Sequence, residues 1–193
     1  MPFSCKTSRK PPRNYVSLRR LTVANAKVTR EMARLGLWSD GLCEVGVYLV
    51  PVSHYCYGWH QGTPGAISIP AVSLAYLDDR RNGRHTRLTD ILRHEWAHAL
   101  AAVHPDFVRC PQFIRTFGGE YDDKTGPWEF SPERHLTWYA STAPSEDFAE
   151  TFHFYLRHKG RLPLRLTGRS ILIRKWRYID RIARRMALGR ENF

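Results

Sequence analysis

Apolar and polar positions along the chain follow two periods, and together they predict both helices and strands. Apolar residues at helical spacing predict a helix near residues 22–36, and a run rich in β-branched and aromatic residues predicts a strand over 43–52. Residues 53–65, with three glycines and a proline, are typical of a turn or hairpin. Residues 66–77 are strand-like, and Pro70 favours a sheet edge or a bend there.

The second half of the chain has a predominantly helical pattern. The predicted helices cover residues 86–103 or 89–103, 106–117, 144–159 and 169–188. Residues 120–143 show no sustained period and are expected to be irregular. Strands in the first half followed by helices in the second predict an α+β fold with a small sheet.

Length and charge divide the chain into three parts. The 193 residues suffice for one domain with its own core. We expect a basic arm at 1–20, a folded domain at 21–160, and a basic helical extension at 161–193 that packs on the same domain. Residues 1–30 hold eight basic and no acidic residues, and residues 161–193 hold ten basic and two acidic ones. Such ends suit an anionic partner, although a solvated arginine-rich surface is the plainer interpretation.

The last predicted helix separates its apolar and basic residues onto two stripes. The apolar stripe comprises Leu172, Trp176, Ile179, Ala183 and Met186. The basic stripe comprises Arg174, Arg177, Arg181, Arg184 and Arg185. This amphipathic basic helix could meet nucleic acid, an anionic membrane or an acidic protein. Packing of the tryptophan on the domain, with the arginines solvated, is the interpretation we favour from sequence.

Several classes of protein are disfavoured by what the sequence lacks. No apolar run is long enough to span a membrane, and the basic N-terminus is not followed by the apolar stretch of a secretory signal. The four cysteines are scattered without a CxxC pair, which suits reduced thiols. We therefore expect a cytoplasmic protein, with export as an effector or toxin as a second option. The sequence gives no expectation for the oligomeric state.

The segment HEWAH, residues 94–98, carries the clearest chemical signal. His94 and His98 are four residues apart on a predicted helix, so both imidazoles leave the same face one turn apart. That spacing lets two imidazole nitrogens bind one tetrahedral zinc ion. Glu95, between them, can act as general base toward a water on the metal. A zinc enzyme needs a third protein ligand besides these two histidines.

Two residues are candidates for the third ligand. Glu146 opens the helix PSEDFAETFHFYL, and Glu150 lies one turn later on the same face, where it could accept the remaining N–H of a ligand histidine. His104 lies ten residues after His94, at the spacing of HExxHxxGxxH. Ala101 stands where that motif has its glycine, and no convincing Met-turn follows. We therefore favour Glu146 and keep His104 as the alternative.

HEWAH, FGGEYDD (117–123) and LTWYASTAPSEDFAETFHFYL (136–156) together resemble the zincin metallopeptidases of the gluzincin type. The resemblance covers residues 86–160. The motifs are most similar to those of bacterial zinc-binding metallopeptidase families. They resemble the catalytic domain of the lethal-factor type more distantly. It implies a single zincin-like domain in which a small mixed sheet packs on the HExxH helix and a glutamate helix. The C-terminal basic helix then follows this domain.

The resemblance also implies roles for individual residues. Glu146 would be the third Zn²⁺ ligand after His94 and His98, and Glu150 would support a histidine. Tyr139, seven residues before the ligand acid, would stabilise the oxyanion. The implied activity is hydrolysis of a protein or peptide substrate. The segment 66–70 would offer a sheet edge for an extended peptide, or would be an ordinary edge strand.

Two other functions remain open at this stage. A DNA-associated protease of the SprT or WLM type would use His104 as third ligand and would suit the basic charge. A non-catalytic basic module on a zincin scaffold would bind nucleic acid or another partner. Tyr121 and His153 are weaker candidates: the tyrosine could shape the cleft, although core packing is its expected role, and the histidine could support a metal ligand from behind.

Overall fold

The structure is a computed structural model that describes residues 15–51, 58–72, 87–124 and 129–190. The helices are α1 (Leu18–Arg34), α2 (Asp40–Cys43), α3 (Leu88–Val103), α4 (Pro111–Phe117), α5 (Pro144–Arg157) and α6 (Ser170–Ala187). The strands are β1 (Gly46–Val50), β2 (Gly58–His60) and β3 (Ala66–Pro70), and 3-10 turns cover Pro105–Phe107, Tyr139–Ser141 and Leu164–Leu166. This mixture confirms the predicted α+β class. Most of the predicted arm, residues 1–14, lies outside the described residues.

Helix α1 begins earlier than its apolar pattern indicated. The Ser17 hydroxyl accepts a hydrogen bond from the backbone N–H of Arg20 at 3.3 Å and caps the helix. Its buried face carries Leu21, Ala24, Val28 and Met32. The chain turns away at Gly36, whose φ is +73° and where a Cβ would lie 2.9 Å from the Ala183 carbonyl oxygen. Only glycine allows this close approach between the end of α1 and helix α6.

The three strands form a mixed sheet in the order β1-β3-β2. Strand β3 runs parallel to β1 and antiparallel to β2, so it is the central strand. The prediction that residues 66–70 form a sheet edge is therefore wrong. Pro70 is tolerated because it ends the strand, beyond the residues of β3 that pair with β2, and Ala71 donates the next hydrogen bond to Val50. Strand β2 lies within the segment predicted to be a turn or hairpin, and it forms a hairpin with β3.

Helix α3 is the central element of the fold. Twelve of its sixteen residues are buried, and it packs against α1, α5 and the strands β2 and β3. Its apolar side chains belong to one core cluster together with those of α1, α4, α5 and α6. A helix enclosed in this way holds its polar side chains in fixed positions, which is what a chemical site requires.

The helix predicted over 106–117 is broken in two. The chain forms a 3-10 turn at Pro105–Phe107, and α4 starts afresh at Pro111. Proline suits the first position of α4 because its missing N–H would have had no partner there. Helices α5 and α6 match their predicted positions to within two residues. None of the helices in the described part of the chain combines the length and the apolar character needed to cross a membrane.

Candidate metal centre

Helix α3 presents His94 and His98 side by side on one face. Their Nε2 atoms lie 3.2 Å apart, and their ring centroids lie 4.9 Å apart. His94 is almost fully buried, and His98 is partly accessible. The helical spacing of four residues produces this arrangement directly, because side chains one turn apart share a face.

The first turn of α5 brings Glu146 to the same point. Its Oε2 lies 3.0 Å from Nε2 of His94 and 3.6 Å from Nε2 of His98. Pro144 occupies the first helical position and fixes where this turn begins. The structure therefore brings together the three residues that the sequence favoured as metal ligands. Within the residues that the structure describes, they form a group able to hold a metal ion.

The donor set fits a small divalent cation. The edge of a tetrahedron with metal–ligand distances near 2.05 Å measures about 3.3 Å. The three separations between the donor atoms lie on either side of that length. Oε2 of Glu146 is buried and accepts no hydrogen bond in the described structure. Two imidazoles and a carboxylate are ligands that favour zinc among the common divalent metals.

Glu150 orients His94. Its Oε1 lies 2.9 Å from Nδ1 of His94, deep in the interface between α3 and α5. Burial opposes ionisation of Glu150, but its contacts with His153 and His94 outweigh burial and hold its pKa well below the usual range. An ionised carboxylate only accepts hydrogen bonds, so Nδ1 carries the ring proton. Nε2 of His94 is then the ring nitrogen left to bind a metal ion.

Tyr121 occupies the corresponding position behind His98. Its hydroxyl lies 2.8 Å from Nδ1 of His98, and burial, reinforced by Glu146, raises the pKa of the phenol far above its ordinary value. The phenol therefore stays neutral, and its oxygen can accept a hydrogen bond from the Nδ1–H group of His98. Tyr121 was expected only to pack in the core. FGGEYDD contains it, but nothing in that segment indicates a contact with a histidine 23 residues earlier.

Glu146 is held as an anion. Burial alone would raise its pKa, but His94 and His98 outweigh burial and lower the pKa of this carboxyl far below its ordinary value. An ionised carboxylate oxygen within 3.6 Å of two imidazole nitrogens, each able to offer a lone pair to a metal, makes a point that attracts a cation.

A buried polar network supports Glu150 from behind. Nε2 of His153 lies 3.3 Å from Oδ1 of Asp90 at the start of α3, and its other ring nitrogen lies 3.9 Å from Glu150. Arg93 donates to Asp90 at 2.5 Å and to Glu31 of α1 at 2.8 and 3.0 Å. These residues tie α1, α3 and α5 together around the histidine pair. Sequence analysis missed Asp90, Arg93 and Glu31 because their contacts join distant segments.

Glu95 is held by strand β2. Its Oε2 accepts the backbone N–H of Trp59 at 2.9 Å, and only 4% of the residue is exposed. Gly58 precedes Trp59 with a φ of +113°, and a Cβ there would lie 3.2 Å from the same carboxylate oxygen. The glycine therefore allows the strand to approach the carboxylate closely. The sequence indicated the role of Glu95 but not this backbone partner.

Tyr139 lies beside His94. It opens a 3-10 turn just before α5, its ring centroid is 5.6 Å from that of His94, and it is 41% exposed. A phenol that is both next to a candidate ligand and accessible to solvent can reach a bound molecule. The structure thus places Tyr139 next to one of the three candidate ligands, His94.

His104 lies apart from this group. It ends α3, is buried, and its Nε2 lies 2.7 Å from the hydroxyl of Ser39. Its ring also packs against Phe107, with centroids 5.8 Å apart. The helix continues to Val103, so the chain does not leave it early enough to carry His104 back toward His94.

Comparison with known proteins adds no relative to this description of the site. Comparisons with protein-family models, with curated proteins and with solved structures each found nothing that matches the chain.

Proposed function

We propose that this chain is a zinc-dependent metallopeptidase with a zincin-like fold. The observation that carries the proposal is the convergence of two imidazole nitrogens and one ionised carboxylate on a single point. The packing of the small mixed sheet and of α5 around α3 agrees with such a fold. A protein or peptide is the proposed substrate, because the motifs resemble those of metallopeptidases.

His94, His98 and Glu146 would hold the ion, with Glu150 and Tyr121 orienting the two rings. A Zn²⁺ ion in this position supplies Lewis-acid polarisation of a carbonyl group and lowers the pKa of a water molecule. Hydrogen-bonded partners behind ligand histidines fix the tautomer and raise affinity for the metal. Both imidazoles have such a partner here.

Glu95 is the proposed general base. It follows His94 directly and precedes His98 by three residues, and the Trp59 N–H fixes the position of its Oε2. The carboxylate takes a proton from the attacking water and delivers it to the nitrogen of the leaving amine. Tyr139 is the proposed oxyanion donor: its hydroxyl hydrogen-bonds the carbonyl oxygen as negative charge develops there.

Metal content of the purified protein tests the proposed ligands. We expect about one zinc per chain for the native protein, for Glu95→Gln and for His104→Ala, and loss of zinc for Glu146→Ala. Loss in His104→Ala with retention in Glu146→Ala would replace this centre by the three-histidine site of SprT-type proteases. The position of His104 against Ser39 disfavours that arrangement.

Cleavage of a broad peptide library by the zinc-loaded protein tests the activity. Glu95→Gln should reduce turnover by several powers of ten without changing zinc content, because it removes the base and keeps the ligands. Tyr139→Phe should reduce turnover by about 10²–10³-fold, also with zinc retained. A zinc-loaded protein that cleaves nothing would refute the peptidase and leave a structural metal site.

A further inference from the structure

A groove of about 370 Å³ lies between α4 and α6, and none of the residues that line it belongs to the proposed metal centre. One wall is formed by Arg174, Arg177 and Arg181 of α6, and the facing wall carries Gln112 and Thr116 of α4. We propose that this groove binds the phosphate backbone of a nucleic acid, independently of base sequence.

The arginines form a regular stripe. Arg174, Arg177, Arg181 and also Arg184 are exposed at successive spacings of three, four and three residues, so they share one face of α6. The stripe extends about 15 Å along the helix axis. Guanidinium groups match phosphate oxygens with two parallel hydrogen bonds, which favours a phosphate chain over a single small anion.

Two arginines of this stripe, Arg174 and Arg177, lie away from acidic side chains in the described part of the chain, and no ion pair there involves either of them. The one acidic residue of α6, Asp180, pairs with Arg184 at 2.8 Å and accepts from the hydroxyl of Tyr155. The first turn of α6 contains no acidic residue either, so the positive end of the helix dipole adds to the field of the groove.

The burial of α6 favours nucleic acid over an anionic membrane. Helices that lie on membranes insert their apolar face among the lipid chains. The apolar face of α6 is already covered, because Leu172, Trp176 and Ile179 are buried in the core. What α6 offers to a partner is a charged face, walled on one side by α4. Such a groove suits a narrow chain of phosphates.

Fluorescence anisotropy with a labelled DNA duplex of about 20 base pairs and mixed sequence tests the proposal on the full chain. We expect the affinity to fall with salt, the logarithm of the binding constant losing about 0.9 per phosphate contact for each tenfold rise in salt. The triple variant Arg174→Gln, Arg177→Gln, Arg181→Gln should reduce that slope by about 2.7. At 0.1 M salt it should bind roughly 10²–10³-fold more weakly.

A matched variant separates the groove from net charge. Arg19→Gln, Arg30→Gln, Arg34→Gln removes three exposed arginines of α1 and lowers the charge by the same amount. It should retain most of the affinity and the full salt slope. The groove variant with lysine at its three positions should recover only part of the affinity, because an ammonium lacks the guanidinium fork.

Three results would overturn the proposal. The first is equal loss of affinity in the α1 and groove variants. The second is absence of duplex binding by the native protein at low salt. The third is binding to vesicles of phosphatidylcholine and phosphatidylserine that is stronger than binding to the duplex. Circular dichroism melts should show every variant folded, because all the substituted arginines are exposed.

Discussion

At the scale of single residues, the candidate centre depends on which nitrogen of each histidine carries a proton. Glu150 is an acceptor only, so it places the proton of His94 on Nδ1 and leaves Nε2 to face Glu146. Tyr121 has the equivalent position behind His98 but can also donate. The carboxylate therefore constrains its histidine more strictly than the phenol does.

Replacement of Glu150 by glutamine should weaken zinc binding by about 10–100-fold. The amide has nearly the same shape, but its NH₂ group can donate to Nδ1 and stabilise the tautomer whose Nε2 carries a proton. Competition with a chromophoric chelator measures the affinity. The exposed Glu44→Gln is the matched control and should bind as the native protein does. Native affinity in Glu150→Gln would show that the carboxylate does not set the tautomer.

The sequence allowed the prediction of those site residues that local spacing brings together. His94 and His98 share a face because they are one helical turn apart, and the same holds for Glu146 and Glu150. The contact between the two helices was inferred from the need for a third metal ligand and from the resemblance. Tyr121, Asp90 and their partners could not be inferred, because these hydrogen bonds join segments that only tertiary packing brings into contact.

At the scale of elements, the short strand β2 holds the proposed base in place. Trp59 donates its N–H to Glu95, and Gly58 leaves the space that the carboxylate occupies. Three glycines within 13 residues led to the prediction of a turn or hairpin there, and β2 does form a hairpin with β3. One of them, Gly58, is required by the close approach of a side chain. The prediction that β3 is an edge strand was wrong because the position of a strand within a sheet depends on pairing between distant segments, which the local sequence does not show.

Gly58→Ala should reduce peptidase turnover by at least about 10-fold, because the added Cβ would meet the Glu95 carboxylate at 3.2 Å and displace it. Gly168→Ala is the matched control: its φ is +104°, so it suffers similar backbone strain, but nothing lies within 4 Å of the added Cβ. Both variants should lose about 1–2 kcal/mol of stability in urea denaturation. Equal turnover in the two variants would show that strain alone, and not displacement of Glu95, determines the effect.

At the scale of the whole molecule, one buried ion pair joins the C-terminal helix to the helix that carries Glu146. Lys175 of α6 donates to Asp147 of α5, and both side chains are almost fully buried. Burial raises the pKa of Asp147 to about 6 despite the neighbouring ammonium group. Burial likewise lowers the pKa of Lys175. The pair lies one residue from the proposed ligand, so it fixes α6 against the first turn of α5.

Lys175→Met should destabilise the protein in a pH-dependent way. At about pH 8 the ionised Asp147 would be buried without its partner, which costs about 3–5 kcal/mol of unfolding free energy. The folded state holds the Asp147 proton more tightly than the unfolded chain does, because the folded pKa lies above the ordinary value of 3.8. Without the ammonium group the pKa of Asp147 lies above the native value of about 6, so the carboxyl of the variant is neutral by the time the pH has fallen to about 6, and the penalty of the variant should shrink. Urea denaturation of the native and variant proteins at about pH 8 and about pH 5.5 measures this difference.

Lys27→Met, at an exposed position of α1, is the matched control and should change stability by less than about 0.5 kcal/mol at both pH values. A penalty for Lys175→Met that is the same at both pH values would mean that lost packing of the lysine stem, and not the uncompensated carboxylate, is responsible.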